Sequence, residues 1–193
     1  MPVDYLFVVR HGETEANELD IEAGPLDYPL IKRGIKDASF ISKALSDIKF
    51  SGIYSSPVLR AVETAKILAR PHGLKVRKLE DLTEAKVKPE LAGKIGRHHI
   101  ITTPDAFMET YKQLQERAVK AVRFIKKEAE GNAIMVSHGQ VIEALLDSVV
   151  QGKVGSYRGD IIHSDTAALS IVKLIGKPYL VLFNYHRKLL DGY

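Results

Sequence analysis

The chain has 193 residues, 45% hydrophobic and 27% charged, with no cysteine and a formal net charge of +4. That length supports a packed core in a single domain over residues 1–193, and the absent cysteines exclude disulfides, thiolate metal sites and a cysteine nucleophile. With no apolar run of membrane-spanning length, no secretory leader and basic residues scattered among acids, we expect a cytoplasmic protein that binds neither membrane nor nucleic acid, and whose mild positive field suits an anionic substrate.

The first predicted element is a buried strand, "YLFVV", which runs straight into Arg10, His11, Gly12 and Glu13. After the turn-rich "GPLDYPLIKRG", Gly34, Ile35, Ala38, Ile41, Ala44, Leu45 and Ile48 recur at helical spacing. "SGIYSS" predicts a short strand, and Ser56 as N-cap with Pro57 at the first helical position predicts a helix to about Arg70, stopped at Gly73. "LKVRKL" predicts another strand. Residues 83–103 show no period and contain Pro89, Gly93, Gly96 and the pair His98-His99, so a long loop or lid is expected. Thr103, Pro104 and Asp105 predict the start of the longest helix, with an apolar stripe through Phe107, Tyr111, Leu114, Ala118, Val122, Ile125 and Ala129. "NAIMVS" predicts a buried strand, "HGQVIEALLDSVV" a helix, and "TAALSIVKLI" and "YLVLFNY" two closing strands about a Gly-Lys-Pro turn. No repeat or linker divides the chain. Alternating strands and helices imply an α/β sandwich with a mainly parallel sheet.

In open α/β sheets, ligands bind beyond the carboxyl ends of the strands. His11 stands at the carboxyl end of the first strand, His138 at that of "NAIMVS", and Arg60 in the first turn after "IYSS". If those strands are parallel neighbours, two imidazoles and the guanidiniums of Arg10 and Arg60 meet at one edge, among helix N-termini whose amides favour anions. That combination suits a phosphoryl group. A neutral imidazole can attack phosphorus and carry it covalently. Arginines hold the nonbridging oxygens, stabilise their charge in the transition state and disfavour the imidazolium. Gly12 is expected to let backbone approach the ligand. A leaving alkoxide needs a proton, so a carboxylic acid should reach the same pocket.

These residues resemble the histidine phosphatase superfamily, in its phosphoglycerate-mutase-like branch. The likeness rests on Arg10 to Glu13 with Asn17; on Asp27, Pro29, Leu30, Gly34 and Ala38; on Ser55, Ser56, Pro57, Arg60, Ala61, Thr64 and Ala65; on Leu82 and Glu84; and on Ser137, His138 and Gly139, all in order. The resemblance implies a three-layer α/β/α sandwich with a mostly parallel sheet. It implies His11 as the phosphorylated nucleophile and Arg10, Arg60 and His138 around the phosphoryl group. Asn17 and Gly139 become further contacts, and Glu84 becomes the proton donor and later the base for water. No metal and no cofactor are implied. Glu80, Asp81 and Glu90 lie close enough in sequence to compete for the acid role.

The chain departs from the resemblance around the lid. Many relatives carry Gly-x-Trp-Glu-Gly after the acid, where this chain has "AKVKPELAGKIGRHH" and no tryptophan. It reads Met108, Glu109, Thr110 where Gly-Glu-Ser is common, with Arg117 downstream, and Asp37 replaces a common Gln. Substrate choice is therefore assigned to the lid. His98 and His99 point apart on extended chain and make a poor metal site. His72 is expected at a surface helix end, while His163 and His186 are candidates to rim the pocket. Ser137 lacks the elbow of a serine nucleophile; Phe107 and Tyr111 read as core, Glu13 and Glu15 as outside the chemistry. Three functions follow. The first is a phosphatase acting on a small phosphorylated substrate or a phosphorylated side chain. The second is a cofactor-dependent phosphoglycerate mutase, disfavoured by the short chain and by Gly139-Gln140-Val141 in place of Gly-Asn-Ser. The third is a non-catalytic phospho-ligand-binding module. The sequence does not fix oligomeric state and is compatible with a homodimer.

Overall fold

The computed structural model describes residues 3–96, 105–152, 154 and 164–187. The opening apolar run forms β1 (Val3–Arg10), in which Leu6 to Val9 are all buried. Burial on both faces explains why it does not alternate apolar with polar residues. Leu6 and Val8 face one apolar cluster and Phe7 and Val9 the other. The same two-sided split recurs in β2 (Gly52–Ser55) and β4 (Gly131–Ser137), where Tyr54 and Met135 face the first cluster and Ile53 and Ile134 the second. Helices α4 (Tyr111–Glu128) and α5 (Gly139–Gln151) supply the first cluster, and α2 (Lys32–Ala44) and α3 (Leu59–Ala69) the second. The result is the three-layer sandwich expected from the sequence.

With β3 (Val76–Lys78), β5 (Leu169–Lys173) and β6 (Tyr179–Tyr185), the sheet has six strands in the order β3-β2-β4-β1-β5-β6. The first four are mutually parallel; β5 and β6 add an antiparallel edge. Register then places the site. Arg10 pairs with Ser137 across β1 and β4, and Ser55 pairs with Val136 across β2 and β4. His11 and His138 therefore leave the sheet at one level, with Ser56 one residue behind them, beside Arg10 and Ser137.

Several element boundaries differ from expectation. The helix expected from Pro57 begins at Leu59 with Val58 as N-cap, because the Ser56 hydroxyl is shared between the Val58 N–H at 3.3 Å and His138 Nε2 at 2.8 Å. Its end is as expected: a single 3-10 turn, Arg70–His72, stops at Gly73 with φ +63°. Glycine adopts this left-handed conformation without a Cβ clash. The longest helix begins at Tyr111, not near residue 103, since Thr110 and Gln113 form a reciprocal capping box there. Phe107 lies before that helix, bridged to Val87, and still packs on the core as Tyr111 does; Thr103 and Pro104 fall outside the described residues. Ile35 leaves the stripe of α2 and is 46% exposed, whereas the charged Asp37 is buried in an ion pair with Arg187 Nε at 2.6 Å. His72 is not a simple surface residue: its ring packs edge-on to Phe50 at 5.0 Å between centroids, and burial pushes its pKa down.

In the expected lid, residues 83–96 contain one 3-10 turn, Pro89–Leu91, and a bridge from Ile95 back to Ile21; residues 97–104, with His98 and His99, lie outside the described residues. Among the described residues no helix is long and apolar enough to cross a membrane.

Candidate active site

A cleft opens where β1 and β2 end. Arg10, His11, Thr14, Asn17, Ile21, Glu22, Ala23, Arg60 and Glu84 line it. Five of the residues singled out from the sequence thus meet in one place.

His11 is carried by backbone rather than by chance. Its N–H continues the β1–β4 ladder to Ser137 O at 2.9 Å, and its carbonyl accepts from Ala167 N at 3.0 Å. Nδ1 donates to Gly12 O at 2.8 Å. A carbonyl oxygen can only accept, so Nδ1 holds the proton and, in the neutral ring, Nε2 holds the lone pair. Gly12 has a packing use. A Cβ there would fall 2.7 Å from Gly34 O, so the glycine lets α2 pack against the loop, while its N–H donates to Thr64 Oγ1 at 2.9 Å.

His138 is the N-cap of α5 and is fully buried, with its ring 5.1 Å from that of His11. Its Nδ1 has no hydrogen-bond partner among the described residues, and its Nε2 meets Ser56 Oγ. Burial above all, and then the charges of Arg60, His11, Arg10 and Arg117, hold its pKa well below the ordinary imidazole value. The native protein therefore keeps His138 neutral, whereas the unfolded chain protonates it near its ordinary pKa of about 6.5. Below that pH the unfolded state binds the extra proton and stability falls. Denaturant titrations between pH 7.5 and 5 should show the wild type losing up to about 1.4 kcal/mol per pH unit more than His138→Gln. Parallel slopes for the two proteins would show that His138 is not held neutral.

Arg10 is 4% exposed and donates through Nη1 to Ser164 O. Gly139 lies beside it: a Cβ there would make ordinary contact with the guanidinium carbon at 3.4 Å. Arg60, 2% exposed, donates to Leu26 O and Gly24 O, each at 3.1 Å, and so ties the loop after α1 (Glu15–Glu18) to α3. Asn17 has its amide oxygen taken by Thr14 N and Oγ1 at 3.1 and 2.9 Å. This orients its NH2 group as what it can offer a ligand. Glu84 follows a 3-10 turn, Glu80–Leu82, and its Oε1 accepts from Ala85 N at 2.9 Å.

Other candidates leave the cleft. Glu80 and Glu90 are exposed, and Asp81 pairs with Lys120 at 3.0 Å. His186 pairs with Asp165 at 3.3 Å, and His163 lies outside the described residues. The Ser137 hydroxyl donates to Leu82 O at 2.8 Å, a structural use. Glu13 is buried against Arg33 in a two-pronged ion pair and Glu15 is exposed. Sequence reasoning missed Thr14 and Glu22. The first was legible as a capping box with Asn17. The second, 2% exposed and accepting from Gly24 N at 3.0 Å, has no local signal, because the loop fold alone turns it inward. Among the described residues no group of three or more His, Asp or Glu side chains is placed to hold a metal ion.

A mixed sheet sandwiched by helices, with paired histidines and arginines at its carboxyl edge, defines the phosphoglycerate-mutase-like class of α/β proteins. The profile of the Histidine phosphatase superfamily (branch 1) matches residues 6–185, and the chain belongs to that superfamily. Phosphoglycerate mutase-like protein 4 of Arabidopsis thaliana is 32% identical over 168 residues, covering 75% of this chain and 71% of that protein. Putative phosphoserine phosphatase 2 of Hydrogenobacter thermophilus is 27% identical over 194 residues, covering 93% and 94%. Among solved structures, a mycobacterial glucosyl-3-phosphoglycerate phosphatase complexed with VO3 shares the fold with a TM-score of 0.81 at 22% identity, over 94% of this chain and 99% of that one. YhfR of Bacillus stearothermophilus does so at 0.79 and 23% identity, over 92% and 94%.

Proposed function

We propose that this chain is a phosphatase that hydrolyses phosphomonoesters through a phosphohistidine at His11, without a metal ion. The observation that carries the reading is the His11 ring, fixed with Nδ1 on Gly12 O and lining a cleft with Arg10, Arg60 and a carboxylic acid. Nε2 attacks phosphorus and the bond to the leaving oxygen breaks, with Glu84 supplying that oxygen's proton. Arg10 and Arg60, with the Asn17 amide and the neutral His138, stabilise the transferring oxygens. Water, deprotonated by Glu84, then releases phosphate from His11. One unit spanning the chain completes the proposal; a small phosphorylated metabolite or phosphorylated side chain is the substrate class.

Hydrolysis is favoured over mutase chemistry by the cleft itself. A mutase must hold ligands bearing two phosphoryl groups, and here the Glu22 carboxylate shares the cleft lining with the two arginines and the acid Glu84. A second phosphate would meet like charge. The test is phosphate release from a panel of phosphomonoesters in excess chelator. Phosphoserine belongs in the panel because relatives named as phosphoserine phosphatases match most of the chain. Turnover of at least one ester is expected to persist with chelator. An absolute need for added divalent metal, or interconversion of phosphoglycerates in place of hydrolysis, would overturn the reading.

A further inference from the structure

Arg117 belongs to α4 and does not line the cleft, yet each of its five N–H groups has an acceptor. Nε and Nη2 take the Glu109 carboxylate in a fork at 2.8 and 2.7 Å. The remaining donors all reach one short stretch of backbone: Nη1 donates to Asp81 O at 3.0 Å and to Thr83 O at 2.6 Å, and Nη2 to Glu84 O at 3.0 Å. The side chain is only 14% exposed and Glu109 only 11%. Burial works to raise the Glu109 carboxyl pKa, but the Arg117 hydrogen bonds and the Lys86 N–H outweigh it and hold the group ionised. A buried guanidinium so fully paired is a rigid fixture, and charge-assisted forks are among the stronger hydrogen bonds.

We propose that Arg117 is a positioning residue for the acid step, fixing the backbone from which Glu84 projects into the cleft. This rests on the reading of Glu84 as proton donor. Two backbone-directed bonds from the sheet hold the same segment as well. Leu79 N extends the sheet by donating to Ser55 O at 2.9 Å, and Ser137 Oγ holds Leu82 O from the end of β4. Both tie the segment upstream of Glu84. Arg117 is the side chain that grips the carbonyl of the Thr83–Glu84 peptide and Glu84's own, where a small rotation would swing the carboxyl away from a leaving oxygen. Proton transfer needs hydrogen-bond distance to that oxygen, and misplacement by about 1 Å can cost about 100-fold. Lysine has three donors on a flexible stem and cannot reproduce five fixed bonds. Because it keeps the charge, Arg117→Lys leaves the field at His138 in place and perturbs geometry alone.

The experiment compares kcat/KM, which reports the steps through phosphoryl transfer, for an alkyl phosphomonoester and p-nitrophenyl phosphate. The proteins are wild type, Arg117→Lys, Glu84→Gln and the double variant. Glu109→Gln is a gentler perturbation of the same clamp should Arg117→Lys unfold, and thermal melts record folding. Arg117→Lys should lower the alkyl ester's kcat/KM at least about tenfold more than that of the nitrophenyl ester, and should add little in the Glu84→Gln background. Equal losses on both esters, or full additivity in the double variant, would reduce Arg117 to a stability role and overturn the proposal. If Glu84→Gln alone fails to discriminate between the esters, it is the assignment of Glu84 that fails.

Discussion

His11→Ala should abolish turnover, lowering kcat/KM on the order of 10^4-fold or more for every phosphomonoester, because removing a covalent nucleophile leaves only binding and charge stabilisation. The loss should be the same whatever the leaving group, since no ester can bypass the attacking nitrogen. Rapid quenching at alkaline pH, where a phosphoramidate survives, should trap phosphate on the wild-type peptide containing His11 and none on the variant. The expected attachment atom is Nε2, because Nδ1 is engaged with Gly12 O at 2.8 Å. His138 is not an alternative carrier in this scheme. It is fully buried and it caps α5. Substantial hydrolysis by His11→Ala, or a label that persists on another peptide, would remove His11 from the nucleophile's role.

The sequence disclosed the residues that leave strand ends better than those that arrive by loops. His11 and His138 were legible because each directly follows a buried apolar run, and parallel register does the rest: Arg10 beside Ser137 puts the next residues side by side. Arg60 was legible in the first turn of the helix that follows β2. Glu84 needed the family resemblance, because four carboxylates crowd residues 80–90 and no periodicity distinguishes them. The structure separates them by burial: Glu84 is 9% exposed and lines the cleft, while Glu80 and Glu90 face solvent. Glu22 was invisible for the converse reason. It sits in a loop whose path is set by long-range bonds, from Arg60 to Gly24 O and Leu26 O and from Gly93 N to Glu22 O, which no local pattern encodes. The later start of α3 has a tertiary origin, whereas that of α4 is set by the local capping box of Thr110 and Gln113. Ser56 reads as a cap, and its hydroxyl does accept from Val58 N, but it is shared with His138 Nε2, and the regular helix starts at Leu59.

Glu84→Gln should separate the acid step from the rest of the chemistry. Glutamine keeps the size of the side chain and its acceptor toward Ala85 N, but it has no proton to give a leaving oxygen. An alkyl alkoxide is a strong base and leaves only as it is protonated, so kcat/KM for an alkyl phosphomonoester should fall about 100- to 1000-fold, within the usual worth of general acid catalysis. Nitrophenolate departs unaided, so p-nitrophenyl phosphate should lose less than about tenfold on the same measure. Arg60→Ala predicts the opposite pattern. The phosphoryl group is common to both esters, so both should suffer alike, by about 100-fold or more, through the lost stabilisation of its oxygens. Steady-state kcat is a poorer guide, because in the proposed scheme Glu84 also activates water in the second step and an inert phosphoenzyme would slow both esters together. The discrimination must therefore appear in kcat/KM, or in the burst of nitrophenol that a stalled phosphoenzyme releases. If Glu84→Gln slows both esters equally, or neither, Glu84 is not the acid. The structure then names the next carboxylate to test as Glu22, which lines the same cleft, rather than the sequence neighbours Glu80, Asp81 and Glu90, which do not.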